Sequence, residues 1–290
     1  MHPYEYHPAT NLTEAISLLG RYGDRARIMA GGTDLLVQLR ADRFEVDAVV
    51  DVKAVPEVTE LSLNGALTIG AAVACYEIYE DQAIANAFPG IIDAASLIGG
   101  IQVQNRASLG GNLCNATPSA DGICPLIVHS AVATITGVDG TRTIPVDEFC
   151  TGPGTNALKY GEMLQNVIVP APAPHFGAAY LRFIPRNEMD IAVAGVASAV
   201  TLNAAGNRIE SARIALAAVG PIPIFAEQAS DTLAGASATD ESFAKAGEAA
   251  STEASPINDM RGTVDQRRHL VAVLTRRTLA IAVERARVNR

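Results

Sequence analysis

Apolar and polar residues alternate along this chain in short runs, each of strand or helix spacing, with glycine and proline between them. Leu12, Ala15, Ile16, Leu18 and Leu19 recur at helical spacing and stop near Gly20 and Gly23, which predicts a first helix. Asn11, followed three residues later by Glu14, is a capping pair for its start. Strand-like runs at 27–30 and 46–52 flank a helical run at 34–40, a small α/β unit. A second unit opens near Leu61. It holds a strand at 67–71, a largely helical stretch at 85–98, and a helix end at 126–129 leading into a strand at 131–136.

Residues 169–174 read Val-Pro-Ala-Pro-Ala-Pro. Proline removes a backbone donor and clashes inside helices, so this segment is extended and a domain boundary is expected there. Beyond it, strands are predicted at 178–184, 192–203 and 208–219, the last two joined as a hairpin by the turn at 203–207. Helices follow at 224–234, 242–250 and 264–287. The expected class is α+β. An N-terminal domain over 1–173, in subdomains of about 1–57 and 58–173, precedes a C-terminal domain over 174–290 with a three-stranded antiparallel sheet and a three-helix bundle.

Composition narrows the function more than the fold. The chain has 290 residues, 49% hydrophobic, with a formal net charge of -9, so a sizeable core is available. The 22 Lys and Arg are interspersed, which argues against a nucleic-acid partner. No apolar run reaches the length of a membrane span, and the start, His2-Pro3-Tyr4-Glu5, has no signal-peptide character. A cytoplasmic location is expected. Cys75, Cys114, Cys124 and Cys150 form no C-x-x-C pair, and the five histidines show no ligand spacing, so no metal site is expected on the chain itself.

Candidate chemistry lies in two glycine-rich stretches about eighty residues apart, Ala30-Gly31-Gly32-Thr33-Asp34-Leu35 and Ser108-Leu109-Gly110-Gly111-Asn112-Leu113. Each joins an apolar run to small polar residues. Glycine admits positive φ and lets a ligand approach the backbone, and the start of a helix offers unpaired N–H groups to phosphate oxygens. Together they read as two halves of one anion cradle, with Ser108 supplying a hydroxyl donor and Asn112 an amide donor. Gly152-Pro153-Gly154-Thr155-Asn156-Ala157 fits the letters of the dinucleotide fingerprint, but no buried strand precedes it and no helix follows. P-loop, α/β-hydrolase and zincin signatures are absent from the sequence. Arg182, Arg186 and Asp190 form a polar set whose simplest reading is a surface ion-pair cluster. Asp121 could cap a helix as easily as bind a ligand.

The order of these motifs resembles the FAD-binding medium subunit of the molybdenum hydroxylases, the family of xanthine dehydrogenase and carbon monoxide dehydrogenase. The resemblance runs nearly end to end. It is carried by the first glycine loop, by Ile69-Gly70-Ala71, and by the stretch from Gln104 through Ser108, Gly110, Gly111 and Asn112 to Asp121. It continues through Gly152-Pro153-Gly154-Thr155, Gly161-Glu162-Met163-Leu164, and Tyr180-Leu181-Arg182-Phe183 with Arg186 and Asp190-Ile191-Ala192. It implies a two-part FAD domain of the vanillyl-alcohol-oxidase type followed by a smaller C-terminal domain, with the flavin ring between them. By position, Ile28, Met29, Ala30, Gly31, Gly32, Thr33, Asp34 and Leu35 would hold the diphosphate with Ser108, Leu109, Gly110, Gly111 and Asn112. Asp121 would accept hydrogen bonds from ribityl or ribose hydroxyls. Leu164 and Arg182 would approach from the far side, and Ile98, Asp190 and Ile191 would lie near the ring.

The resemblance further implies partners: a large subunit with the molybdopterin cofactor and a small subunit with 2Fe-2S clusters, in a dimer of heterotrimers. FAD would take electrons from the clusters and pass them to an external acceptor such as NAD or a quinone. No catalytic acid or base is expected on this chain. Two departures stand out. Val73 and Ala74 replace hydroxyl residues found in many relatives, and Ile98 and Ile191 stand where some relatives place an aromatic. Two rival readings are a stand-alone FAD-dependent reductase of the enolpyruvyl type, which needs a serine proton donor near Arg182, and a cofactor-free assembly subunit.

Overall fold

The computed structural model describes residues 2–187 and 189–289, so both ends of the predicted domain ranges, at 1 and 290, lie outside the described residues. The first part holds β1 (Glu5–Pro8), α1 (Leu12–Tyr22), β2 (Ala26–Met29), α2 (Leu35–Arg40), β3 (Ala48–Asp51) and α3 (Pro56–Thr59). Its strands form a parallel sheet in the order β1-β3-β2, with Tyr6 and Arg27 both opposite Val49. The Asn11 side chain accepts the Glu14 N–H at 2.9 Å, capping α1 as expected, while Glu14 reaches back to the Thr10 N–H at 2.9 Å.

Next come β4 (Leu61–Asn64), β5 (Ala66–Gly70), α4 (Cys75–Glu80), α5 (Gln82–Ala87), α6 (Pro89–Ala95), α7 (Ile101–Gln104), α8 (Leu109–Asn115) and α9 (Ile123–Val128). The predicted helix at 85–98 is broken because Pro89 cannot donate to the preceding turn; it starts α6 instead, and Phe88 turns fully inward. Strands β6 (Val132–Gly137), β7 (Gly140–Pro145), β8 (Cys150–Gly152), β9 (Thr155–Asn156) and β10 (Met163–Val169) follow. A five-stranded antiparallel sheet forms in the order β4-β5-β10-β6-β7, so β10, which periodicity did not identify, is its central strand.

The last part contains β11 (Phe176–Phe183), β12 (Ala194–Leu202), β13 (Ile209–Ala217), β14 (Ile224–Phe225), α10 (Glu227–Asp231), α11 (Asp240–Glu253) and α12 (Val264–Val288). The antiparallel sheet has four strands, β11-β12-β13-β14, rather than the three expected. Pro221 and Pro223 hold the chain extended, so Ile224 and Phe225 pair with Leu216 and Ala215 before the helix starts at Glu227. The helices do not form a separate bundle. Leu279, Ala282 and Val283 of α12 pack with Val196 and Val200 of β12 in one apolar cluster, and Phe243, Ala246 and Ala250 of α11 join it.

A larger cluster crosses the junction between this sheet and the rest of the chain, joining Leu126 and Ile127 of α9 to Ala178 and Tyr180 of β11 and Ala197 of β12. Polar staples reinforce it. Arg285 grips Asp93 with two nitrogens at 2.6 and 2.9 Å, the Tyr180 N–H donates to Asp93 at 3.0 Å, and the Ala218 N–H donates to Pro118 O at 2.7 Å. No helix among the described residues is long and apolar enough to cross a membrane.

Candidate functional site

The first glycine loop packs against the backbone that leads into the second. The first leaves the end of β2 and enters α2, and the second enters α8. A Cβ on Gly31 would lie 1.7 Å from the carbonyl oxygen of Arg106, and one on Gly110 would lie 2.5 Å from the Ala71 backbone. Only glycine permits both approaches. Gly32 adopts φ +74°, turning the first loop into α2. The Asn115 side chain of α8 donates to the Asp34 carboxylate at 2.5 Å, tying the loops across 81 residues.

Both loops open onto one cleft of about 1200 Å³. From the first loop, Ala30, Gly31, Gly32, Thr33, Asp34 and Leu35 line it, with Ile28 of β2; from the second, Ser108, Gly110, Gly111 and Asn112. Ile98, Asp121, Leu164, Arg182, Asp190 and Ile191 line it too, although they come from five distant segments. Met29 and Leu109 do not. Strand alternation turns Met29 to the opposite side from Ile28, where it packs with Leu39, Val46 and Val49, and Leu109 is buried in the main core. Val73 and Ala74 also lie off the cleft: Val73 joins the core and Ala74 pairs with Ser108 through a β-bridge.

The hydrogen bonding of the two loops differs. Among the described residues, none of the backbone amides at 31–35 donates a hydrogen bond within the protein, and α2 has no side-chain cap. In the second loop the Gly111 N–H donates to Ser108 Oγ at 3.0 Å, and the Asn112 side-chain oxygen accepts the Gly122 N–H at 3.0 Å. Ser108 thus acts first as a helix cap, with its hydroxyl hydrogen left over, and Asn112 keeps only its NH2 for a ligand. The Gly152-Pro153-Gly154 stretch forms the β8–β9 hairpin, opens no helix, and serves α8 instead: the Gly154 N–H donates to Ala116 O at 2.9 Å and Asn156 to Cys114 O at 2.7 Å.

The polar set after the proline segment divides in two. Arg186 and Asp190 pair at 3.1 Å, but only the Arg186 end lies on the surface the simplest reading expects; the Asp190 side chain is 10% exposed, on the cleft wall. Arg182 does not belong to that surface. Its side chain is only 7% exposed and donates through Nη1 to Asp121 Oδ2 at 2.5 Å, while the Tyr180 hydroxyl donates to Asp121 Oδ1 at 2.7 Å. Burial pushes the Asp121 carboxyl above the usual carboxylate range, against the opposing pull of Arg182 and Tyr180, and pushes the Tyr180 phenol well up. Both oxygens of Asp121 therefore already hold protein donors on the cleft wall. Nearby, Arg142 grips Glu162 at 2.8 and 2.7 Å and holds its carboxyl below its ordinary value.

Some residues facing or bracing the cleft escaped the sequence. Arg27 lines it half-buried, bonded among the described residues to Asp24 O and Ala26 O and stacked over Phe44 at 4.4 Å. Tyr180 is fully buried, yet its place two residues before Arg182 on a strand puts both on one face, a signal the alternation carried. All four cysteines are free, and burial pushes their thiols up, that of Cys150 to about 11. No group of three metal-ligating side chains occurs among the described residues.

A flavin dinucleotide fits these residues. The unpartnered amides, with Gly31 set against Arg106 and Gly110 against Ala71 without a Cβ between, would make a cradle for bridging phosphates, and Arg182 leaves a buried Nε with no partner among the described residues. Comparison with known proteins agrees. Residues 2–172 match the family described as the FAD binding domain in molybdopterin dehydrogenase, and residues 179–282 the CO dehydrogenase flavoprotein C-terminal domain. The chain is 31% identical to the xanthine dehydrogenase FAD-binding subunit of Escherichia coli O157:H7, covering 97% of this chain and 96% of that one. It is also similar to a structure of carbon monoxide dehydrogenase from Hydrogenophaga pseudoflava, with 30% identity and a TM-score of 0.93 over 98% of this chain and 99% of that one. Quinoline 2-oxidoreductase from Pseudomonas putida 86 gives 29% identity and a TM-score of 0.91, covering 98% of each chain. With two glycine loops closed on one cleft and a match along nearly its whole length, the chain belongs to the FAD-binding medium subunits of the molybdenum hydroxylases, as an oxidoreductase subunit whose cofactor is FAD.

Proposed function

We propose that this chain is the flavin station of a heteromeric molybdenum hydroxylase, with an FAD-binding domain over 1–173 and a C-terminal domain over 174–290. The observation that carries the reading is that both glycine loops line one cleft, with Gly31 pressed on the Arg106 backbone that leads into the second loop. The amides at 31–35 and at Gly110, with the NH2 of Asn112, bind the diphosphate. Ile98, Leu164 and Ile191 supply apolar contact for the ring and exclude water from part of it, while Asp190 is kept ionised at the rim by Arg186. Bound FAD supplies the ability to accept electrons singly and to release them singly or in pairs.

Electrons would enter from 2Fe-2S clusters on a small partner subunit, after substrate oxidation at a molybdenum cofactor on a large one, and leave to a soluble acceptor such as NAD or to a quinone. Ile191 is 48% exposed and Met189 57% exposed at the cleft wall, so the ring end is open on one side to an acceptor. The assembly would be a dimer of heterotrimers. The enolpyruvyl-reductase reading finds no support, because Leu181 and Phe183, not serine, flank Arg182 on β11.

The test is a visible spectrum of the purified chain and a titration of its colourless form with FAD. Stoichiometric uptake with quenching of flavin fluorescence is expected; no uptake in excess FAD would favour a cofactor-free assembly subunit. Purification from its native source with two other chains, one carrying molybdenum and one iron, is expected. Reoxidation of the reduced flavin by NAD in stopped flow identifies that acceptor, and its absence excludes it.

A further inference from the structure

We infer that Tyr180 is a positioning residue which, through Asp121, aims the unpaired side of the Arg182 guanidinium at the bound flavin nucleotide, so that filling the cleft and seating the C-terminal sheet are linked. The inference rests on the FAD reading above. Its basis is a count of donors and acceptors in one buried cluster. Arg182 lines the cleft with its side chain more than nine-tenths buried. Of its three nitrogens, Nη1 donates to Asp121, and Nε is buried with no partner. Nη2 makes no hydrogen bond among the described residues. A buried guanidinium with unmet donors beside a ligand cleft is costly unless the ligand supplies the acceptor.

Asp121 does not complete the set, since it belongs to the segment after α8 and its two oxygens already hold the Tyr180 hydroxyl and Arg182. What Asp121 does is fix a rotamer. A bidentate acceptor locked from one side by a buried phenol leaves Arg182 little freedom on the other. Tyr180 is itself locked at both ends: its N–H donates to Asp93, which also holds Arg285 of α12, and a Cβ on Gly195 would lie 2.6 Å from its hydroxyl oxygen. Tyr180 and Arg182 belong to β11, whereas Asp121 and Asp93 belong to the part that carries the glycine loops. A ligand that orders Arg182 therefore also tightens this junction, and reciprocity requires that a loosened junction weakens the ligand.

The experiment uses the full chain freed of flavin and titrated with FAD by fluorescence quenching, with absorption spectra of the bound form. Arg182→Lys keeps the charge and removes Nε and the planar fork, and a tenfold to hundredfold weaker dissociation constant is expected, about the loss of one charge-assisted hydrogen bond. Tyr180→Phe keeps the ring and removes only the hydroxyl that holds Asp121. It is expected to weaken FAD about three- to tenfold and to shift the visible bands of the bound flavin in the same direction as Arg182→Lys. In the double variant the two losses should not multiply, because both act through one guanidinium.

Wild-type binding with both variants within twofold of it overturns the inference and leaves the FAD reading standing; no wild-type binding overturns the FAD reading itself. Fully multiplicative losses, or a Tyr180→Phe loss with an unshifted flavin spectrum, also overturn it, since either marks a general structural effect. Should Tyr180→Phe not fold, Arg182→Gln decides the matter: it retains a hydrogen-bond donor but not the charge, and binding equal to wild type refutes the role of the guanidinium.

Discussion

The two glycine loops look alike in sequence and differ in what they leave undone. The first ends in α2, six residues long and without a side-chain cap, and its amides at 31–35 have no hydrogen-bond partner among the described residues. The second ends in α8, whose first turn is closed by Ser108 and whose Asn112 is half-committed to Gly122. The first leaves its donors unused on the cleft wall. The second is a finished helix start against which the first is pressed. A lone pair of glycines says little, and the difference shows that equal motifs can leave unequal donors: the second loop spends Ser108 and half of Asn112 on its own structure, and the first spends none of its amides among the described residues.

Substitutions should separate the two roles. The largest effect is expected from Gly31→Ala, whose methyl group would meet the Arg106 carbonyl at 1.7 Å. The loops must part to admit it, at a cost of about 3 kcal/mol on the scale of overpacked cores, and FAD should be lost; a denaturant melt and a flavin content measurement check both. Gly110→Ala would place its methyl 2.5 Å from the Ala71 backbone. About 1–3 kcal/mol of stability is expected to go, with FAD affinity falling less than for Gly31→Ala. If Gly110→Ala proves the worse for FAD, the second loop is the main binding half and the comparison reverses.

Ser108→Ala removes the cap from Gly111 and should lower unfolding stability by about 1 kcal/mol. Its freed Gly111 amide faces the same cleft, so the dissociation constant for FAD should move less than threefold. The smallest effect is expected from Asn115→Ala, which cuts the exposed tie to Asp34. Less than about 1 kcal/mol is at stake there, and the measurement that registers it is the rate of FAD release rather than a melt.

The sequence was most legible where a residue type is unusual for a backbone reason. Glycine doublets, the proline run and the Asn11 cap each announce a conformation, and the structure has the corresponding turns and helix start. It was least legible in the centre of the larger sheet. Strand β10 carries Gln165 and Asn166 between apolar residues, with a register shift between Leu164 and Asn166, so its alternation is broken where it matters. Strand β1 reads Glu-Tyr-His-Pro and is held at a sheet edge by pairing with the buried β3, which no local pattern reveals. In the cleft, Leu164, Arg182 and Asp121 could be named only through resemblance, because their neighbours are distant in sequence. The buried state of Arg182, and its separation from the exposed Arg186, needed coordinates. Likewise the fourth strand at Ile224–Phe225 is two residues long, too short for periodicity to register.

Strand β10 carries Leu164 on the cleft wall, and β11 carries Tyr180 and Arg182; only 170–175 separate the two strands, mostly exposed and rich in proline. A tether so short and stiff keeps the local concentration of one wall near the other high, so that their meeting needs little search. Clipping the backbone there by a protease would leave every contact of the site in place yet turn its closure into an encounter of separate bodies, sensitive to dilution in a way the intact chain is not.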